Sequence, residues 1–292
     1  MVAAFVLFLR EGLEASLIVS ILCAVLRQLG MTRHLRAVWI GVGLAIAGSL
    51  AGGVALYATV RSYDGSTFQT VFETVTYLAA VVLLTTMTFW MQTHSRTLKK
   101  EIAEKASSAG SGFALGLLAF TTVGREGLES AVFTLAFAFQ TNGVLLVLGA
   151  ALGILAAVAL CVMIYRLGYR LDYRIFFRVM GILLLIFAAG LLGDAVQNMQ
   201  ELGWISFAST PLWSTAHLLS EDSTLGDLLH TFIGYAEAPT ALQMALYAIF
   251  LAVSGTLFWR LTRKPGGGRV ATPPVTPVTP PATPSSAATR HA

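Results

Sequence analysis

Two stretches place charge inside apolar sequence: FLREGLEASL at residues 8–17 and VGREGLESAV at residues 123–132. Each contains the pentapeptide REGLE, which supplies Arg10, Glu11 and Glu14 in the first copy and Arg125, Glu126 and Glu129 in the second. On a helix turning about 100° per residue, the three charged side chains of either copy share one face. Two such helices face to face would set four carboxylates against two guanidiniums, leaving a formal charge of −2. An all-oxygen site of that charge suits a hard cation, whereas soft metals call for Cys or Met and zinc or copper for imidazole. None of the histidines at 34, 94, 217, 230 and 291 falls in either motif. Copper(I) and zinc are therefore disfavoured. Iron, manganese, magnesium and a carboxylate proton relay remain open. Gly12 and Gly127 remove a side chain beside each cluster, where another helix or an ion can come close to the backbone.

The elements that position these residues are membrane helices. Of 292 residues, 56% are hydrophobic and 12% charged, with a mean hydropathy of +0.74; a soluble domain carries roughly 25% charged residues. Apolar runs of about the 20 residues a bilayer requires recur at 2–26, 37–60, 71–92, 112–138, 143–165, 175–196 and 240–260. The first is expected to be a span, not a secretory signal peptide, because no basic region precedes it. A central charge costs roughly 2.5–3.5 kcal/mol in lipid, so the motif residues must face one another or water. Arg10 with Glu14 is an i,i+4 pair that offsets part of this cost.

Basic residues set the orientation. Arg27, Arg33 and Arg36 follow span one, and Arg96, Lys99, Lys100 and Lys105 follow span three. Arg166, Arg170, Arg174 and Arg178 surround the gap after span five, and Arg260, Arg263, Lys264, Arg269 and Arg290 follow span seven. These sixteen of the 19 basic residues lie on one side of a seven-span chain, with only Arg61 on the other. Basic loops stay cytoplasmic, which puts the amino terminus outside and the carboxyl terminus in the cytoplasm. It also removes nucleic acid as the reason for the net charge of +4.

The expected fold is all-α and polytopic: seven transmembrane helices in two inverted three-helix repeats plus a seventh helix. The REGLE copies, 115 residues apart, each open a block of three spans. Three is odd, so the blocks are inverted, an arrangement that places a transport site near the bilayer midplane. The divisions are 1–110 and 111–200 for the repeats, 201–239 for an extracytoplasmic segment, 240–262 for the seventh span and 263–292 for a Pro/Thr/Ala-rich disordered tail. LGDLLHTFIGY in the outer segment is expected to form a short interfacial helix. Gly48 with Gly52 and Gly149 with Gly153 have the small-xxx-small spacing of close helix contacts. Cys23 and Cys161 read as apolar filler within spans.

Glu73 and Asp194, near the outer ends of spans three and six, are candidates for an access path. Glu221, Asp222 and Asp227, with His217 and His230 nearby, are candidates for an outer capture site. A purely structural Arg–Glu clasp is the rival account of the motifs, and duplication on inverted helices counts against it. A membrane di-iron oxidase is disfavoured because such bundles add Glu-x-x-His ligands and no intramembrane histidine is visible.

Two intramembrane REGLE motifs, seven spans and an outward amino terminus resemble the oxidase-dependent iron permeases of fungi and bacteria. Further stretches fit: VFETVTYLAAVVLLTTMTFWM in span three, AAGLLGDAVQNMQELG ending span six, and LLSEDSTLGDLLHTFIGY before span seven. The resemblance covers about residues 1–262. It implies a plasma-membrane (cytoplasmic-membrane) permease, not an enzyme, with iron as substrate and no permanently bound cofactor. It further implies that Glu11, Glu14, Glu126 and Glu129 bind iron during permeation, with Arg10 and Arg125 balancing their charge. Expected partners are membrane lipid and extracytoplasmic iron-binding, ferroxidase or haem-peroxidase-like proteins. Ferrous and ferric iron, and other hard cations, stay open.

Overall fold

All nine prolines lie beyond residue 210, so nothing in the long apolar runs removes a helical hydrogen bond. Each run is helical in the computed structural model, which describes residues 1–61, 65–94, 98–109, 111–140, 143–167, 173–215, 217, 219–220 and 223–263. The long helices are α1 (Val2–Gln28), α2 (Leu35–Arg61), α3 (Thr67–His94), α5 (Gly112–Gln140), α6 (Gly143–Leu167), α7 (Tyr173–Glu201) and α9 (Ala241–Arg263). Two short helices join them, α4 (Leu98–Ser108) and α8 (Thr224–Ile233). No strand occurs among the described residues beyond one isolated bridge between Pro211 and Thr240. The C-terminal tail beyond residue 263 lies outside them.

Five helices, α2, α3, α6, α7 and α9, are long and apolar enough to cross a membrane. The other two long ones, α1 and α5, run to 27 and 29 residues and carry the charged motifs. Large apolar side chains stand exposed around the bundle, among them Leu44, Leu50 and Val54 on α2, Val147 and Leu155 on α6, and Ile249 and Val253 on α9. A surface of this kind belongs against lipid.

The motifs sit between two dry cores. At the end of the bundle that holds α8, Leu7 of α1 packs with Tyr77 and Leu84 of α3, Phe137 of α5 and Phe187 and Leu191 of α7. At the opposite end, Leu22 and Leu26 of α1 pack with Val38 and Val42 of α2 and Leu115 and Ala119 of α5. Ala106 of α4 completes that second core, and Ile102 is buried one turn before it. In the sequence this segment stands out only as the basic stretch after span three. Its i,i+4 apolar pair was the available signal for an amphipathic helix.

The closest helix pairings are α2 with α5, α1 with α6, and α3 with α7. The motif glycines make two of them possible. A Cβ on Gly12 would stand 2.8 Å from Ala157 Cβ of α6, and one on Gly127 would stand 2.8 Å from Ser49 Cβ of α2. Gly149 and Gly153 meet the α1 backbone around Met1 and Phe5 as their spacing suggested. Gly48 and Gly52 do not meet another helix: nothing lies within 4 Å of either added Cβ, because α2 turns Gly41 and Ser49 toward α5 instead. We expect Gly12→Ala to cost about 1–3 kcal/mol through overpacking, read as a lower melting temperature in detergent. Gly48→Ala should leave that temperature unchanged or slightly raised.

Candidate functional site

The REGLE segments occupy the middle of α1 and α5, at the waist between the two cores. Arg10 is 2% exposed, Glu11 and Glu14 each 3%, and Glu126 2%. Arg10 donates from Nη1 to Glu11 Oε1 at 2.8 Å, and its Nε stands 3.0 Å from Glu14 Oε1. In the second motif, Arg125 donates to Glu126 Oε1 from Nη2 at 2.7 Å and from Nε at 3.2 Å. Arg125 Nε also lies 3.7 Å from Glu129 Oε1.

One oxygen from each of Glu11, Glu126 and Glu129 lies within 4.8 Å of the others. In all three, Oε2 is buried and accepts no hydrogen bond. A buried carboxylate oxygen without a donor carries a desolvation cost that a cation would remove. These three side chains, from both motifs, can therefore close on one ion.

The motif residues do not behave alike. Glu14 stands outside the trio, held on the Arg10 side of the cluster. Helical spacing alone groups it with the others, whereas the carboxylates that come within 4.8 Å of one another are Glu11, Glu126 and Glu129. The arginines differ too. Arg125 is 49% exposed, and its guanidinium carbon lies 5.3 Å from the centre of the Trp90 ring. Both residues line a depression of about 230 Å³ with Leu83, Thr86, Met87 and Glu129. The trio thus meets an open surface at Glu129, beneath a cation–π contact from α3. No local signal in the sequence marks the pairing of Trp90 with α5.

Polar residues also gather at the α8 end. Asp194 is 8% exposed and accepts a hydrogen bond from Gln140 Nε2 on Oδ2. His230 Nε2 faces Asp194 Oδ1 at 3.8 Å. Glu73 accepts from Gln69 Nε2 at 2.8 Å. The structure thus sets Gln140 and His230 against Asp194, two partners that their distance in the chain does not mark. The acidic stretch fares differently. Glu221 and Asp222 lie outside the described residues, and Asp227 is described only as backbone of α8.

A multi-pass helical membrane protein with paired Arg–Glu clusters buried at the centre of its bundle is the class these features define. The chain belongs to the iron permease FTR1 family, whose family model matches residues 1–261. It is 34% identical over 276 residues to the "Ferrous iron permease EfeU" of Yersinia pestis, covering 93% of this chain and 98% of that one. It is 36% identical over 256 residues to the protein of the same name from Escherichia coli O6:K15:H31, covering 86% and 92%. No solved structure matches the chain significantly. Its activity is accordingly iron transport across a membrane.

Proposed function

We propose that the chain imports ferrous iron across the cytoplasmic membrane through the Glu11, Glu126 and Glu129 trio. The observation that carries this reading is the convergence of three carboxylates, each with one buried oxygen lacking a donor. Hard oxygen ligands of that number suit a divalent cation that keeps some water. The ferrous state follows the relatives, which are ferrous iron permeases by name.

The frame of the proposal is seven spans, α1, α2, α3, α5, α6, α7 and α9, with the amino terminus outside. Basic residues after α1, α3, α6 and α9 support that orientation. Two inverted repeats, α1–α3 and α5–α7, are supported by the helix pairings. Exchanging the repeats turns the α1–α6 contact into the α5–α2 contact and returns α3–α7 to itself. The Gly12–Ala157 and Gly127–Ser49 approaches exchange in the same way.

In this mechanism an ion passes from the outer side by Glu73 and Asp194 and reaches the trio. Arg10 and Arg125 neutralise the carboxylates while no ion is bound. Loading draws Glu126 and Glu129 from Arg125 toward the metal. Arg125, already half exposed over Trp90, then keeps the ring as its partner, and the ion leaves through the depression toward the cytoplasm as one repeat rocks on the other. Glu14 holds Arg10 in place throughout. Extracytoplasmic iron-binding or oxidase-type proteins deliver the ion.

Radioactive iron uptake into proteoliposomes, run anaerobically with ferrous iron and separately with a ferric chelate, tests the substrate. Uptake of ferrous iron alone is expected; uptake of ferric iron alone would overturn the assignment. Trp90→Ala tests the release side. Losing a cation–π contact of about 0.5–2 kcal/mol should lower the maximal uptake rate by up to about 30-fold while leaving iron binding within about twofold. A weaker binding constant at an unchanged rate would place Trp90 in the binding site instead.

A further inference from the structure

We propose that Asp194 and His230 form a second cation site at the α8 end of the bundle, holding a divalent transition-metal ion between carboxylate and imidazole. The proposal rests on the access path described above and gives that path a selectivity the carboxylate trio lacks.

The imidazole is held as a metal ligand would be. His230 Nδ1 lies 2.7 Å from the Tyr235 carbonyl oxygen, which can only accept, so Nδ1 carries the proton. In the neutral ring Nε2 is then the lone-pair nitrogen, and it points at Asp194 Oδ1 3.8 Å away. That gap exceeds the roughly 2.7–2.9 Å of a charge-assisted hydrogen bond. A transition-metal ion about 2.1 Å from each atom fits it at an open angle. Metal-binding histidines commonly donate their second nitrogen to a backbone carbonyl, and ligating carboxylates are themselves hydrogen-bonded. Both supports are present: Tyr235 for the ring, and Gln140 for Asp194 Oδ2.

The backbone has been shaped to bring the two together. Gly234 caps α8 in the left-handed conformation at φ 68°. A Cβ on Gly190 of α7 would stand 2.9 Å from Gly234 Cα, so the two backbones touch where neither residue has a side chain. Asp194 is one turn beyond Gly190 on α7, and His230 is one turn before Gly234 on α8. The glycine contact therefore sets those side chains opposite each other. Tyr235 and Tyr247 hold the same turn, donating to the Leu219 carbonyl at 2.9 Å and the Ile233 carbonyl at 2.8 Å.

The chemistry follows from the donors. The all-oxygen trio cannot readily distinguish ferrous iron from magnesium or calcium, whereas an imidazole nitrogen favours first-row transition ions over both. A nitrogen-containing site ahead of the trio would screen out the abundant hard cations.

The test uses the full chain in lipid nanodiscs with Mn²⁺ as the probe, followed by its electron paramagnetic resonance. A Glu11→Gln/Glu126→Gln/Glu129→Gln variant silences the central layer. It should still bind about one Mn²⁺ in the presence of excess Mg²⁺, with ¹⁴N modulation of the electron spin echo. Adding His230→Gln or Asp194→Asn should weaken that binding at least about tenfold, as loss of a ligand requires. No residual binding, displacement by Mg²⁺, or residual binding without nitrogen coupling would overturn the site and leave the pair as an ion pair. The nitrogen signal is read with His230 in place, so it does not depend on the His230 variant folding. Iron transport by the triple variant would instead refute the central trio, and the Mn²⁺ result would stand separately.

Discussion

Glu126→Gln is expected to lower iron uptake by at least about 100-fold in a protein that still inserts and folds. Glu126 carries the densest demands in the cluster. Its Oε1 takes both hydrogen bonds from Arg125, and its Oε2 is buried without a donor. The amide keeps the size and a carbonyl acceptor for the guanidinium, so packing survives. It cannot offer an anionic oxygen to the ion, and it turns an NH₂ group toward the trio or toward Arg125. Even changes to the residues supporting a metal ligand typically cost 10–100-fold in affinity, so changing a ligand itself should reach at least the upper end. Glu11→Gln and Glu129→Gln should follow it. Glu14→Gln should not: it loosens Arg10 and is expected to lower stability more than iron affinity. Uptake in proteoliposomes beside melting temperature separates the two patterns. Equal transport losses at positions 11, 14, 126 and 129 would restore a four-carboxylate site and remove the distinction drawn from Glu14.

Arg10→Met is expected to be the most destabilising single change in the molecule. The side chain is 2% exposed and is engaged by Glu11 at 2.8 Å and Glu14 at 3.0 Å. Removing one partner of a buried ion pair leaves an uncompensated charge, at about 3–5 kcal/mol. The expected readout is a collapse of monodisperse protein on size-exclusion chromatography. Arg10→Lys should rescue only part, since one ammonium does not reproduce the fork that spans two carboxylates. Arg10→Met/Glu11→Leu/Glu14→Leu should recover much of the stability, because it removes both carboxylates with their cation and apolar replacement of a whole buried ionic group is often neutral. Arg125→Met should cost less: its guanidinium is half exposed beside Trp90, so its loss empties less buried space than the loss of Arg10. If Arg125→Met proved the more damaging, the inequivalence of the two motifs would be wrong.

The comparison of the two arginines also marks where sequence reading stops. By sequence the motifs are identical over REGLE, and helical spacing assigns their charges the same faces. Nothing local distinguishes Arg10, enclosed by α1's neighbours on every side, from Arg125, which reaches the groove beside α3. Burial depends on which helices surround each copy, and those neighbours are more than 30 residues away in the chain.

What the sequence by itself determined was the membrane character, the position of every long helix, and the chemistry available at the centre. Apolar runs of span length without proline have one low-energy backbone in lipid, the helix, so periodicity and length suffice. The cost of intramembrane charge made REGLE conspicuous without any structure. Tertiary structure alone decided how the charges combine: Glu11 with Glu126 and Glu129, Arg10 between Glu11 and Glu14, and Trp90 over Arg125. It alone also joined Asp194 to His230 across the Gly190–Gly234 contact. Side-chain partners across helices are set by crossing angle and depth, which depend on the packing of both helices at once. A carboxylate's identity is written in one codon; its partner is chosen by the whole bundle.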